Sequence, residues 1–190
     1  MRKQELRSVY LQKRIALSDE AYAERSNKIA TLFFENINLT NIKVVHVFLP
    51  MIKSKEPNTW AIIERMKKEF PSIRFSIPRV NNKTQVLENF YFDSPDQLKE
   101  NTWGIQEPQV GEPTNAKDID LVLVPLLAVD KNGHRVGYGK GYYDKFLSLC
   151  KPTCLKIGLS LFDPIDKIED VNEQDVALQS CVTPDQYVRF

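Results

Sequence analysis

Apolar positions along this chain change period repeatedly, from the spacing of helices to that of strands and back. Leu6, Val9, Tyr10 and Lys13 keep helical spacing through residues 2–16. Leu17-Ser18-Asp19-Glu20 then breaks and restarts the helix, with Ser18 placed to cap it and the acids in its first turn. The second helix carries Tyr22, Ile29, Leu32 and Phe33, and Ser26 takes one small place in the stripe. Lys43 to Leu49 is apolar on both faces, which predicts an interior parallel strand, with His46 as its polar interruption. The expected role of His46 there is that of a neutral, hydrogen-bonded core histidine.

Pro50 ends that strand, and a helix is predicted from near Asn58-Thr59 through Trp60, Ile63, Met66 and Phe70. A strand over Ile73–Ile77 is expected to stop at Pro78-Arg79. Gln85 to Phe92 reads as an edge hairpin or strand pair. The loop-rich section down to Pro113 is long enough to be expected to serve a site. Leu121 to Val129 is nearly all apolar and predicts a buried strand, Ile119 to Val124, that leaves the sheet at Pro125. A helix over Tyr142–Leu149, a strand over Cys154–Leu161, an acidic irregular stretch over 163–175 and a short last strand within Val176–Val182 complete the pattern. The expectation is one α/β domain spanning residues 1–190: three layers, α/β/α, with a mostly parallel central sheet.

Composition narrows the classes of function. A chain of 190 residues can bury roughly 70% of its unfolded surface without staples. A net charge of +1 argues against a broad electrostatic footprint for nucleic acid or an anionic membrane, so any anion must be held by a local pocket. The basic N-terminus lacks the apolar core of a signal peptide, and no stretch approaches the roughly 20 apolar residues of a membrane span. Cys150, Cys154 and Cys181 read as reduced thiols of a cytoplasmic protein. Neither His46 nor His134 lies beside a cysteine, which gives zinc little support.

The chemistry concentrates between residues 131 and 149. Gly137, Gly139 and Gly141 fall at every second position, with Arg135 before them and Lys140 among them, and a helix follows at once. Glycines in this spacing let the backbone approach a ligand and leave N–H groups free to point at it. The helix start adds unpaired N–H groups and the positive end of its dipole. An anion site, most naturally for phosphate, is the functional reading; a turn with spare glycines is the bland one. Tyr at 142 breaks the G-x-G-x-x-G fingerprint, and Gly141 after Lys140 breaks the P-loop pattern. Asp144 would repel phosphate unless a divalent cation lay between them. Lys3, Arg7 and Arg14 space themselves along the first helix, where a solvated basic face is the default expectation.

Taken together, these segments resemble the 5-formyltetrahydrofolate cyclo-ligase family. The carrying segments are Lys3-x-x-x-Arg7 through Arg14, Phe48-Leu49-Pro50-Met51 leading to Glu56-Pro57-Asn58-Thr59, Ile77-Pro78-Arg79-Val80, and Trp103-Gly104-Ile105-x-Glu107-Pro108. The most specific is Asp120 through Pro125 followed by Arg135-x-Gly-Tyr-Gly-Lys-Gly-Tyr-Tyr-Asp144. Departures from the family pattern stand at Asn58, Leu126, Val129 and Gln174.

The resemblance implies a layout like that of coenzyme-A transferases and a two-step reaction. ATP phosphorylates the formyl oxygen of 5-formyltetrahydrofolate; N10 then attacks the activated carbon and phosphate leaves, giving 5,10-methenyltetrahydrofolate. It also implies roles: Lys140, Arg135 and Tyr143 in catalysis; Lys3, Arg7, Arg135, Gly137, Tyr138, Gly139, Lys140, Gly141, Tyr142 and Asp144 around ATP. Met51, Glu56, Trp103, Tyr142 and Tyr143 would line the folate pocket, and Asp144 and Asp175 would hold Mg²⁺. A monomer or weak homodimer without nucleic-acid or membrane partners is expected. A phosphate-sugar or coenzyme-A enzyme of related layout, or a non-catalytic binding module, are the alternatives.

Overall fold

The computed structural model describes residues 1–101 and 104–190. In chain order the main elements are α1 (Lys3–Ile15), α2 (Asp19–Asn36), β1 (Val44–His46), α3 (Trp60–Glu69), β2 (Arg74–Asn81) and β3 (Val86–Tyr91). Then follow β4 (Leu98–Glu100), β5 (Gln106–Pro108), β6 (Leu121–Pro125), β7 (Ala128–Val129), β8 (Arg135–Val136), α4 (Tyr142–Leu149), β9 (Leu155–Leu159), β10 (Ser180–Val182) and β11 (Tyr187–Arg189).

The central sheet runs β11-β10-β9-β6-β1-β2-β3. Its five inner strands are parallel, and antiparallel β3 and β11 close its two edges. Side-chain alternation sends Val45, Phe75, Leu121, Leu123 and Ile157 to one face, where they pack with Ile29 and Phe33 of α2 and Ile62, Ile63 and Met66 of α3. Val44, Val122 and Val124 point the other way, onto Phe146 and Leu147 of α4. The three-layer reading is therefore correct. The first helix lies apart from both layers: Leu6 and Tyr10 cluster with Leu127, Ala128, Val136 and Ile168, which sets α1 against β7 and β8. Among the described residues no helix is long and apolar enough to cross a membrane.

Local signals hold at several points. Ser18 caps α2 by accepting a 3.1 Å hydrogen bond from the Ala21 N–H, and α4 occupies the predicted residues. Other expectations need correction. The second strand does not stop at Pro78 but continues to Asn81, with Pro78 opposite Asn89. Phe92 donates to the Phe75 carbonyl, whereas Val80 donates to the Glu107 carboxylate rather than to β3. In this register Pro78, like Val80, directs its nitrogen away from β3, and β1 pairs only as far as Ser76. The missing N–H thus costs no ladder bond. Pro125 likewise closes β6 inside the ladder, opposite Leu159 and beyond the last pairing with β1. The strand predicted over Lys43–Leu49 is shorter, and β11 was not anticipated. Leu126 packs over Gly158: a Cβ there would lie 2.7 Å from Leu126 Cδ2.

Candidate active site

The glycine loop runs from β8 to α4, and α1 packs against β7 and β8 just before it. Gly139 and Gly141 have φ of +89° and +68°, a region that glycine enters without strain. Gly141 is the residue before α4, so the loop delivers its backbone directly to the helix start. Arg7 Nε donates to the Gly137 carbonyl at 2.9 Å. Its guanidinium lies against Gly139, where a Cβ would come within 3.0 Å of Arg7 Cζ. A fixed cation thus underlies the loop from which backbone N–H groups can bind an anion.

The helix flank is held by buried charge. Arg135 donates to Asp144 Oδ1 at 2.7 Å and also to the Val176 carbonyl. The same Asp144 oxygen accepts from the Val176 N–H at 3.1 Å, so the 172–176 turn is tied to the start of α4. Burial lowers the Arg135 pKa from its ordinary value, and the nearby Asp144 and Asp175 carboxylates oppose that shift. Asp175 Oδ2 accepts from Lys3 Nζ and, at 2.8 Å, from the Asn172 N–H.

A second cluster faces the loop from β1 and the following turn. Glu56 is 3% exposed. It accepts from the Met51 N–H at 2.8 Å and from the Tyr138 hydroxyl at 2.9 Å. Burial raises its pKa, against the lowering effect of its hydrogen bonds and of Arg14. The Tyr138 hydroxyl in turn accepts from Arg14 at 2.7 Å. Arg14 also reaches the Ser54 carbonyl at 2.6 and 2.8 Å and the Leu126 carbonyl at 3.3 Å. Tyr143, in the first turn of α4, places its hydroxyl 3.3 Å from His46 Nε2, and burial pushes its phenol pKa up.

A profile describing the 5-formyltetrahydrofolate cyclo-ligase family matches residues 1–184. The chain belongs to the 5-formyltetrahydrofolate cyclo-ligase family. It is 28% identical to a probable 5-formyltetrahydrofolate cyclo-ligase of Schizosaccharomyces pombe, over 100% of this chain and 98% of that one. It is 31% identical to the 5-formyltetrahydrofolate cyclo-ligase of Mus musculus, covering 78% of this chain and 74% of the relative. Among solved structures, the 5,10-methenyltetrahydrofolate synthetase of Aquifex aeolicus superposes with a TM-score of 0.84 at 30% identity, over 100% of this chain and 93% of that one.

Set against the cyclo-ligase pattern, the structure brings most of the expected residues together. Arg7 meets the loop at Gly137, Tyr138 of the loop meets Glu56 and through it Met51, Arg135 meets Asp144 at the start of α4 beside Tyr143, and Lys3 meets Asp175. Lys140 is exposed and makes no ion pair among the described residues. Tyr142 turns outward, its hydroxyl donating to Gln85 at 3.2 Å. Trp103 lies outside the described residues.

The solvated basic face expected of α1 is wrong for its best-held member. Arg14 is 1% exposed. It extends the buried Leu6–Tyr10 stripe by one more step of four residues, and that spacing was a signal the sequence offered. Lys3 and Arg7 are half-buried on the same helix.

Proposed function

We infer that the chain carries out the cyclo-ligase reaction: ATP-dependent cyclisation of 5-formyltetrahydrofolate to 5,10-methenyltetrahydrofolate, with ADP and phosphate released. The observation carrying this reading is the glycine loop at the start of α4, backed by Arg7 and flanked by the Arg135–Asp144 pair. A formyl amide is a poor electrophile with a poor leaving group, and phosphorylation of its oxygen makes that oxygen able to leave. The protein then has mainly to position the reactants and neutralise charge.

In this assignment the N–H groups of Gly137 to Gly141 and the side chains of Lys3, Arg7 and Lys140 hold the ATP phosphates. Lys140, free of any partner among the described residues, follows the transferring phosphoryl. Arg135 orders the helix start through Asp144. Glu56 accepts from N–H donors of the pterin, oriented by Met51 and Tyr138, while Tyr143 lines the junction of the two substrates; Tyr142, turned outward onto Gln85, would have to leave that bond to join it.

The donor set is compatible with Mg²⁺. Asp144 Oδ2 and Asp175 Oδ1 accept no hydrogen bond among the described residues, and both are hard oxygen donors. No group of three His, Cys, Asp or Glu suited to a metal occurs among those residues. An ion held by these two carboxylates alone would fill its other positions with phosphate and water. Magnesium, when bound, would neutralise charge on the ATP phosphates. The test is absorbance of the methenyl product with and without ATP and Mg²⁺. Product formed only with both supports the assignment; ATP turnover indifferent to folate, or sugar-phosphate binding with no folate effect, overturns it.

A further inference from the structure

His46 is fully buried on β1, facing α4. Its ring lies 4.6 Å from that of Phe146 and 5.9 Å, edge on, from that of Tyr143. Nε2 is 3.3 Å from the Tyr143 hydroxyl, while Nδ1 has no hydrogen-bond partner. Its strand neighbours, Ser76 on β2 and Val122 on β6, bring no charge to the ring. Burial lowers the pKa of His46 to about 3, so the imidazole is neutral at physiological pH.

A neutral ring leaves two proton arrangements. If the Tyr143 hydroxyl donates to Nε2, the proton on Nδ1 becomes a buried N–H with no acceptor. If Nε2–H donates to the hydroxyl, Nδ1 is a bare acceptor with no donor. Orphaned buried N–H groups are the rarer of the two in folded proteins. The second arrangement is therefore favoured, and it fixes the direction of the Tyr143 proton. A phenol oxygen that accepts from His46 on the sheet side has its own hydrogen free to point away from the ring, toward a ligand.

We propose that His46 is a positioning residue: it donates from Nε2 to Tyr143 and thereby presents the Tyr143 hydroxyl as a fixed donor to an oxygen of the reacting phosphoryl or formyl group. The proton stays on Tyr143 throughout. The oxygen leaving with phosphate gains a hydrogen bond as its charge develops, and no group is transferred to the protein. This rests on the cyclo-ligase reading of Tyr143.

Two experiments test it. The chain has 2 histidines, so a nitrogen-15 correlation spectrum of histidine-labelled protein resolves them, with His46→Gln providing the assignment. The expected result is a neutral His46 protonated on Nε2, with that signal displaced in Tyr143→Phe. Protonation on Nδ1, or a doubly protonated ring at pH 7, overturns the proposal without touching the function.

The second experiment is kinetic. His46→Leu is expected to lower kcat about tenfold, or ~1.4 kcal/mol. KM for ATP and for folate should stay within twofold and the melting temperature should not fall, because Leu removes the unpartnered nitrogen. His46→Gln, whose amide N–H can occupy the place of Nε2–H, should restore kcat to within threefold of wild type. Full kcat in the Leu variant, or equal loss in both, refutes the positioning role. Full kcat in Tyr143→Phe removes the catalytic role of Tyr143 itself, and this proposal with it, whichever tautomer the spectrum shows. Should His46→Leu fail to fold, the wild-type spectrum still decides.

Discussion

Replacing Gly139 by Ala probes the loop where backbone conformation and ligand binding meet. At φ +89° an L side chain is strained, at a cost of about 1–2 kcal/mol. The added Cβ would also lie 3.0 Å from Arg7 Cζ and Nη2 and 3.2 Å from Nε, so the guanidinium must move by a few tenths of an ångström. That movement weakens the 2.9 Å bond from Arg7 to the Gly137 carbonyl, a further cost of roughly 0.5–1.5 kcal/mol. In the free protein the loop is largely exposed and can relax. The cost then returns when ATP requires the positive-φ glycine conformation. Together these terms predict ATP binding weaker by about tenfold to a few hundredfold, with folate affinity and melting temperature nearly unchanged. Gly137→Ala is the matched comparison, since its φ is not positive and a Cβ there meets nothing within 4 Å. Its effect isolates contact with the ligand from backbone strain. Calorimetric titration with ATP, then with the folate, gives the dissociation constants directly. A Gly139→Ala Kd for ATP within twofold of wild type would refute both the strain argument and the placement of phosphate on this loop.

Three further outcomes are expected. Lys140→Met should lower kcat/KM for ATP at least tenfold, or about 1.4 kcal/mol, by removing an unpaired cation from the phosphoryl; steady-state kinetics within twofold of wild type would make Lys140 a bystander. Glu56→Gln should raise KM for folate and leave nucleotide binding alone. Because burial raises the Glu56 pKa, its stabilising contribution is full below the ordinary carboxylate range and is lost as pH rises through the raised value. The melting temperature of the Gln variant should therefore gain on wild type between pH 4 and pH 8, and a constant difference across that range would contradict the shift. Asp175→Asn should raise the Mg²⁺ concentration giving half-maximal rate while leaving the ligand-free melting temperature within a few degrees; full rate with an unshifted magnesium curve would exclude Asp175 from the metal site.

Residues 137–149 were legible in the sequence because what they do is local. Glycines that allow positive φ, and the helix that begins directly after them, need only their chain neighbours. The cap at Ser18 is local in the same way, set by a bond to a backbone N–H three positions on. Fold class followed from periodicity, since strands apolar on both faces must be covered on both faces.

What the sequence left open depends on which strand becomes whose neighbour. Pro78 read as a stop because a proline lacks an N–H; it continues the strand because β1 has already diverged on that side. Arg14 carries a charge, and only the approach of the Ser54 and Leu126 carbonyls and the Tyr138 hydroxyl makes its burial tolerable. Lys3 meets Asp175 across 172 positions, Arg7 meets Gly137 across 130, and His46 meets Tyr143 across 97. No periodicity encodes such pairs. Apolar burial is set by each residue's own character and repeats along the chain. A hydrogen bond between distant side chains exists only once the sheet order has brought their strands and helices to the same edge.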